Sequence, residues 1–377
     1  MKILTLTTYQ GYNYGASLQA YALQHYLQSR GHDAQIIRYE PEYLMRYYAF
    51  WYVNPESSLS RNSLTRMVYR FAKLGQRLTT LRRKRVFDYF NHHILRETPQ
   101  RFLSSDSLMQ HPPQADLYLC GSDQIWNVLY EAGQDPIFYL DFVRQGLKAS
   151  YAASFSYLDI PHNHLTRIAQ SLGKFDAVSV RERHGLDILQ RMGVNGTWVL
   201  DPVFLLNIDE WEHLLNLPTP QYESIPQEED YLLIYDFEGN ADLKDFALHY
   251  AQKYGLKIYA IVDRFPLHYA DRNFRSAGPI DFVRLIKGSK AFISNSFHGT
   301  AFSLIFHRPF FVFNRNRHKV NSRMESLLSL FNLQDCLIDS SEKKKEALMR
   351  TFDWDDVERR KQTALQTSVD FLSRLGV

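Results

Sequence analysis

Three side chains of this sequence are suited to chemistry by both their type and their position. His298, Asp123 and Arg181 each follow closely after a short apolar run that is typical of a buried strand. An imidazole can donate a proton, a carboxylate can accept one, and a guanidinium can hold a carboxylate or phosphate through two parallel hydrogen bonds. Together these residues fit the binding of an anionic substrate beside a candidate general base.

His298 lies in the stretch 291–306, which reads AFISNSFHGTAFSLIF. The pattern predicts a strand end at 291–293, a turn over 294–299 and a helix over 300–306. The imidazole would then lie beyond the carboxyl end of a parallel strand, where α/β sheets bind ligands, and beside a helix N-terminus, which attracts anions. A packed, hydrogen-bonded core histidine is the alternative. The small polar neighbours favour a site, and they are Ser294, Asn295, Ser296 and Gly299.

Two further predicted strands end in polar side chains. A strand at 116–120 is followed by Gly-Ser-Asp-Gln, which places Asp123 and the amide of Gln124 at the sheet edge. A strand at 148–153 delivers Ser154 to the same edge. Asp123 would serve a sugar hydroxyl or act as a general base. Its alternative role is to cap a helix that begins nearby.

The segment 175–183 repeats this arrangement. A strand through Val180 is followed at its carboxyl end by Arg181, Glu182 and Arg183. The planar fork of Arg181 suits a carboxylate or phosphate. A surface ion pair between Arg181 and Glu182 is the alternative.

The N-terminus is predicted to form a βαβ unit, with strands at 2–7 and 34–39 around a helix. The loop 9–15 after the first strand contains Gly11 and Gly15, and glycine permits close approach of the backbone to a ligand. Because the loop is not G-x-G-x-x-G, it supports a dinucleotide site only weakly. The two glycines either form a tight turn or contact a ligand.

Residues 57–87 carry nine Lys or Arg and no acid. Apolar residues recur there at helical spacing, which predicts a basic amphipathic helix, and they are Leu64, Val68, Phe71, Leu74, Leu78 and Leu81. Two interpretations stay open. The helix is either solvated and docked through its apolar face, or it covers an anionic substrate or contacts anionic lipid as a peripheral membrane element.

Strands alternate with helices in both halves of the chain, which predicts an α/β protein of two Rossmann-like, doubly wound domains facing a cleft. The predicted boundaries are 1–206 for the first domain, with a basic helical insertion at about 57–100, and 207–350 for the second. Residues 351–377 are predicted to form a terminal helix that packs back on the body. The polar, basic segment 314–323 is a candidate mobile loop at the cleft.

Composition narrows the class of protein. Lys plus Arg exceeds Asp plus Glu by 44 − 41 = 3, too little to indicate a nucleic acid partner. Cys120 and Cys336 have neither metal nor disulfide-framework spacing. The start of the chain does not resemble a signal peptide, and no window approaches a membrane-spanning length. We therefore expect a soluble, cytoplasmic protein without a metal site.

Several stretches together resemble the polysaccharide pyruvyl transferase family. They keep a consistent order over most of the chain and read NYGASLQAYALQ at 13–24, GSDQIWN at 121–127, YAASF at 151–155, VSVRE at 178–182, LDP at 200–202 and SFHG at 296–299. The basic segment 57–87 lies outside the resemblance. The resemblance implies a two-domain fold like that of GT-B glycosyltransferases.

The resemblance also implies transfer of the enolpyruvyl unit of phosphoenolpyruvate to two hydroxyls of a sugar, in a surface polysaccharide or its lipid-linked precursor, giving a pyruvate ketal and phosphate. Phosphoenolpyruvate is then a donor substrate and no cofactor is required. Arg181 matches the family's anion-binding Arg, His298 its acid or phosphate ligand, and Asp123 would be the base or acceptor contact. The residues expected to bind substrate are Asn13, Gly15, Gln19, Ser122, Gln124, Ser154, Glu182, Asn295, Ser296, Gly299, Thr300, Arg315 and Arg323.

The chain departs from the family pattern at Ser296, where members that resemble the characterised enzymes carry Arg. An unreplaced charged hydrogen bond would cost about 1.5–3 kcal/mol of donor binding. Arg315, Arg317 or Arg323 would replace it from the adjacent loop. Two other functions stay open: a GT-B-type glycosyltransferase that binds a nucleotide sugar's diphosphate on the helix near Gly299, and a non-catalytic glycan-binding relative.

Overall fold

The computed structural model describes residues 1–45, 53, 62–226, 229–263, 265–314 and 322–377, apart from the side chains of 72, 73 and 75–79. In the N-terminal half the elements run β1 (Lys2–Leu6), α1 (Tyr14–Ser29), β2 (Asp33–Tyr39), α2 (Glu42–Met45), α3 (Ser63–Tyr89), a π-helical turn (Phe90–Ile94), β3 (Glu97–Phe102), α4 (Ser105–Gln110), β4 (Leu117–Cys120), α5 (Glu131–Gln134), a 3₁₀ turn (Pro136–Tyr139), β5 (Leu147–Ser150), α6 (His162–Leu172), β6 (Ser179–Val180), α7 (Arg183–Arg191), β7 (Thr197–Trp198) and a 3₁₀ turn (Pro202–Leu205).

The C-terminal half continues the alternation of strands and helices. Its elements are α8 (Ile208–Leu215), β8 (Tyr231–Tyr235), α9 (Ala241–Tyr254), β9 (Lys257–Ile261), β10 (Arg272–Phe274), α10 (Pro279–Gly288), β11 (Ala291–Ser294), α11 (Phe297–Ile305), β12 (Phe310–Phe313), α12 (Ser322–Leu330), a 3₁₀ turn (Gln334–Cys336), β13 (Leu337–Ile338), α13 (Ser341–Ala347) and α14 (Trp354–Ser373).

Each half is built on a parallel sheet. The strand orders are β3-β2-β1-β4-β5 and β10-β9-β8-β11-β12-β13. In both sheets the chain moves outward in one direction and then returns to the other side of the first strand, so a topological switch point lies between β1 and β4 and another between β8 and β11. Ligands bind beyond the carboxyl ends of strands at such points. The predicted α/β class with Rossmann-like halves is confirmed.

Three local predictions need correction. The helix predicted from residue 300 begins at Phe297, because the Oγ atom of Ser296 accepts the N–H of Gly299 at 3.3 Å and caps it. Asp123 does not cap a helix, since its φ is +68° and the next helix, α5, begins at Glu131. The strand predicted at 148–153 ends at Ser150, and Ala153 forms only isolated bridges.

A shared apolar cluster joins the two halves. It includes buried residues of α1, of the turn Pro202–Leu205, and of α8, α10 and α11. Tyr14 of α1 stacks on Phe282 of α10 with ring centroids 4.6 Å apart, and Trp211 of α8 meets Phe302 of α11 edge to face at 4.8 Å. This packing places the N-terminus of α1 beside the N-terminus of α11.

The basic segment forms the long helix α3, and residues 57–61 of the prediction lie outside the described residues. Its C-terminal end is docked through the buried Val86 and Phe87. At its other end Leu64, Val68 and Phe71 are exposed, so docking through the apolar face does not extend to that part of the helix.

The terminal helix α14 returns to the N-terminal half. Val357, Phe371 and Leu372 are buried, and the Oγ atom of Ser368 accepts the N–H of Leu200 at 2.9 Å. Within the part of the chain that is described, no helix combines the length and the apolar character needed to span a membrane.

Candidate functional site

A cleft of about 650 Å³ lies where the switch points of the two sheets face each other. Both halves contribute to its lining, and the predicted site residues on its wall are Asn13, Asp123, Gln124, Asn295, Ser296, His298 and Arg323. The cleft therefore brings together side chains as distant in sequence as Asn13 and Arg323, which are 323 − 13 = 310 positions apart.

The N-termini of two helices open into this cleft. Asn13 caps α1, its Oδ1 atom accepting the N–H of Ala16 at 3.2 Å, and Ser296 caps α11. The first N–H groups of a helix have no partner within the helix, and the helix dipole adds positive potential there. Two such ends in one cleft make a site suited to an anion.

His298 belongs to the first turn of α11 and lies directly over Gly15 of α1. A Cβ atom on Gly15 would fall 1.9 Å from the Nδ1 atom of His298, so only glycine leaves room for the ring. The side chain of His298 is 9% exposed, and its Nε2 atom is buried without a hydrogen-bond partner. The position of the imidazole is thus set by contact between the two halves.

A chain of charged groups runs from His298 beneath the cleft. The Nε2 atom of His298 lies 3.4 Å from Oδ2 of Asp201, a charge contact that lacks the geometry of a hydrogen bond. The same Oδ2 atom accepts from Nη1 of Arg181 at 2.8 Å, and Nη2 of Arg181 donates to Oδ1 of Asp123 at 3.2 Å. The two acid–base candidates, His298 and Asp123, are therefore linked through Asp201 and Arg181.

Asp201 is fully buried, and its pKa is nonetheless lowered from the ordinary value. Burial alone would raise the pKa of this carboxyl, but the positive charges of His298 and Arg181 favour the ionised form and outweigh it. Asp201 also accepts the hydroxyl of Ser122 at 3.2 Å. A buried carboxylate beside an imidazole balances the charge that the ring carries when protonated.

Arg181 lies beneath the cleft rather than on its wall. Its side chain is 1% exposed, and the Cζ atom sits 4.6 Å from the ring centroid of Phe297, which covers it. The charge is balanced by Asp201 and Asp123. In this arrangement Arg181 positions the two carboxylates, and an anion in the cleft meets Phe297 before it meets the guanidinium.

Arg323 brings positive charge to the cleft wall from α12. Its Nη1 atom lies 4.0 Å from Oδ1 of Asp123. With the side-chain amide of Gln124 turned over, the same Nη1 atom donates to the amide oxygen of Gln124 at 3.1 Å. Arg323 thus contacts the opposite half across the cleft. Arg315 lies outside the described residues, as does Arg317.

The sequence profile of the polysaccharide pyruvyl transferase family matches residues 13–317 of the chain, well over half of its length. The chain belongs to this family. Among curated proteins no sequence matches significantly.

One solved structure similar to this family member confirms a GT-B-like fold. A crystal structure of a UDP-N-acetylglucosamine 2-epimerase superposes with a TM-score of 0.52 at 12% identity, covering 100% of this chain and 95% of the other. The UDP-GlcNAc 2-epimerase of Neisseria meningitidis bound to UDP-GlcNAc has a TM-score of 0.49 at 13% identity, with 99% and 100% covered. At such identities the likeness concerns the fold alone.

The remaining predicted site residues of this pyruvyl transferase family member are buried beneath the cleft. Gln19 accepts the N–H of Ser122 at 3.0 Å, which ties α1 to the segment before Asp123. Glu182 accepts the hydroxyl of Ser154 at 2.9 Å and so holds the loop after β5. Thr300 bonds the carbonyl of Ser296 inside α11, and Gly299 packs against Phe292. These buried residues hold in place the backbone segments whose side chains line the cleft.

Asp201 is the functional candidate that the residue types alone did not single out. Its signal was present in Leu200-Asp-Pro202, one of the stretches that resemble the family, but nothing local shows that this aspartate meets His298. Phe297, which covers Arg181, was missed for the same reason. In the described part of the chain, no group of three or more His, Cys, Asp or Glu side chains is placed to hold a metal ion.

Proposed function

We propose that the protein transfers the enolpyruvyl unit of phosphoenolpyruvate to two hydroxyls of a sugar, in a surface polysaccharide or its lipid-linked precursor, and forms a pyruvate ketal. The observation that carries this proposal is the meeting of two helix N-termini, those of α1 and α11, around His298 in one cleft. An anion site beside an acid–base group is what this donor requires.

The donor has a carboxylate and a phosphate, and the cleft offers matching groups. The free N–H groups of α1 and α11 suit one or both anions, and Arg323 supplies a charged fork on the wall. Ser296 stands where family members that resemble the characterised enzymes carry Arg, so in this proposal Arg323 supplies the cationic contact that Ser296 lacks. No cofactor is needed, because the transfer involves no net oxidation or reduction.

His298 is proposed as the acid. It gives a proton to the methylene carbon of the donor, which becomes a methyl group and leaves C2 electron-poor. One sugar hydroxyl bonds to C2, the C2–O bond to phosphate breaks, and the second hydroxyl then bonds to C2. Of the two hydroxyl protons released, one restores the acid and one leaves with phosphate. Asp201 balances the charge on the protonated ring.

Asp123 is proposed as the base for an attacking hydroxyl. Its side chain is 13% exposed and lines the cleft, while Arg181 and Arg323 lie close to its Oδ1 atom. A carboxylate on the cleft wall can accept the proton of a hydroxyl that is bound beside it. Tyr130 and Phe237 lie on opposite walls of the same cleft and give the acceptor sugar apolar faces to pack on.

A thermal-shift titration with phosphoenolpyruvate tests the donor, with inorganic phosphate and a panel of nucleotide sugars in parallel. A ligand that binds only the folded state raises the melting temperature as its concentration passes Kd. We expect phosphoenolpyruvate to stabilise the protein more than phosphate does, and His298→Ala to abolish turnover without loss of folding.

Two outcomes would replace the proposal. Stabilisation by a nucleotide sugar alone would indicate a GT-B-type glycosyltransferase whose diphosphate occupies the two helix ends. An unchanged biological role for His298→Ala and Asp123→Asn together would indicate a non-catalytic glycan-binding relative.

The product of the proposed reaction has its own signature. NMR of the product should show a new methyl singlet, together with released phosphate.

A further inference from the structure

The N-terminal part of α3 carries an exposed apolar stripe. Leu64, Met67, Val68 and Phe71 are exposed by 66%, 49%, 52% and 68%. Their spacing of three and four residues places them on one face of the helix. Single exposed apolar residues are common on protein surfaces, but a continuous stripe of four on one helix marks a site of interaction.

The same helix is strongly cationic. The span Ser63–Tyr89 contains eight Lys or Arg and one acid, Asp88, which pairs with Lys84 within the helix. At about 100° per residue, Arg66 falls on the side of the helix opposite to the apolar stripe, and Arg70 falls on its flank. Both are exposed. An apolar face backed by a basic polar face is the arrangement of helices that lie in the plane of a membrane interface.

We infer that α3 docks on an anionic lipid surface, with Leu64, Met67, Val68 and Phe71 entering the headgroup region. An anionic lipid surface is favoured because its negative charge complements the cationic side chains of α3. A second copy of the chain would bring two cationic helices together, which repel each other. A nucleic acid would use the cations but would leave the apolar stripe in water, because phosphate contacts need no apolar surface.

The docked helix is connected to the cleft through Arg83. This side chain donates to the carbonyl of Tyr12 at 3.0 Å and to the hydroxyl of Tyr14 at 2.6 Å, and it pairs with Asp263. Tyr12 and Asp263 both line the cleft, one from each half. Phe71 precedes Arg83 by 83 − 71 = 12 residues, or about 18 Å along the helix axis.

This geometry points to the class of acceptor, a step that rests on the proposed function. If α3 lies in the plane of the bilayer, the cleft begins about 18 Å along the helix from the docked stripe and is placed to receive the head of a lipid-linked sugar. The acceptor would then be a membrane-anchored precursor rather than a finished, free polysaccharide.

Vesicle flotation of the full chain tests the docking. Vesicles of phosphatidylcholine alone are compared with vesicles that also contain phosphatidylglycerol, at low and high salt. We expect binding to the anionic vesicles only, weakened by salt. Leu64→Ser with Phe71→Ser should reduce binding by roughly tenfold or more. Arg66→Gln with Arg70→Gln should reduce it by roughly fivefold for each arginine.

A matched control replaces two equally exposed leucines outside α3. Leu103→Ser with Leu158→Ser removes side chains that are 57% and 55% exposed and should leave vesicle binding unchanged. Circular dichroism and the melting temperature verify that each variant is folded. Wild-type binding by the Leu64/Phe71 variant would overturn the inference. So would loss of a dimer, rather than of lipid binding, in that variant, because the stripe would then be an interface between copies.

The docking and the proposed chemistry can fail independently. If the docking inference is right, the Leu64/Phe71 variant keeps its response to phosphoenolpyruvate and its rate on a soluble sugar acceptor but loses rate on a lipid-linked acceptor in vesicles. If the variant and the wild type have equal rates on the lipid-linked acceptor, the inference about the class of acceptor is wrong, but the proposed pyruvyl transfer is unaffected. Vesicle binding without any response to phosphoenolpyruvate would instead count against the proposed function.

Discussion

His298 and Gly15 meet across the two halves of the molecule, with the Nδ1 edge of the imidazole resting on the backbone of the glycine. The glycine is the second residue of α1, and the histidine is the second residue of α11. One contact therefore sets both the distance between two helix N-termini and the position of the proposed acid.

Gly15→Ala should displace the imidazole of His298, because the added Cβ atom would fall 1.9 Å from Nδ1. Since misplacement of a catalytic group by about 1 Å can cost on the order of 100-fold in rate, we expect kcat to fall by about that factor. Overpacking should also lower the free energy of unfolding by about 1–3 kcal/mol. Steady-state kinetics and urea unfolding measure both effects. Gly173→Ala, at the end of α6, is the control, and unchanged kcat in Gly15→Ala would refute the role of the contact.

Asp201→Asn should destabilise the protein by about 3–5 kcal/mol near neutral pH, because it removes a buried partner of Arg181. The pKa of Asp201 is lowered in the folded state. What its ionised carboxylate adds to the free energy of unfolding is therefore complete above the unfolded pKa of about 4 and is lost as the pH falls through the folded pKa. The difference in unfolding free energy between wild type and Asp201→Asn should therefore be constant at about pH 5–7 and shrink below about pH 4. Urea unfolding across this range measures it.

The control for this pH dependence is Asp159→Asn. Asp159 pairs with Arg191 at the surface, and solvent screens such a pair, so we expect little change in stability. A wild-type advantage over Asp201→Asn that grew as the pH fell below about 4 would contradict the assigned direction of the pKa.

Arg323→Gln should weaken phosphoenolpyruvate binding by about 10- to 100-fold, the equivalent of one lost charged hydrogen bond. Arg323→Lys should restore only part of the affinity, because an ammonium group lacks the planar fork. Isothermal titration calorimetry measures Kd for each variant. Arg191→Gln, an exposed arginine away from the cleft, is the control. Wild-type affinity in Arg323→Gln would show that Arg323 does not replace the clamp missing at Ser296.

Arg83→Ala should lower the free energy of unfolding by about 2–3 kcal/mol, because hydrogen bonds to Tyr14 and Tyr12 and the contact with two aromatic rings are lost. Asp263 is 42% exposed and would be rehydrated, so it adds little to the cost. Arg85→Ala, an exposed arginine on the same helix, should be neutral. Equal stabilities of the two variants in urea would show that Arg83 does not fasten α3 to the cleft.

The order and type of most elements followed from the sequence. The predicted βαβ start and the strand at 291–293 agree with the structure to within a residue or two, because apolar periodicity is local and reflects which face is buried. The family resemblance likewise rested on short contiguous stretches. Short edge strands such as β10 and β13 were missed, since three or two residues carry no period.

The site itself was decided by the tertiary structure. Sequence indicated His298, Asp123 and Arg181 separately, but only the folded chain places Asp201 between the histidine and the arginine and covers Arg181 with Phe297. The exposure of Leu64 and Phe71 on α3 was likewise decided by the tertiary structure, because the helical spacing alone predicts an apolar face but not whether that face is covered. A local pattern shows that a side chain is apolar or charged, whereas its partner, its burial and hence its energy depend on residues that are distant in sequence.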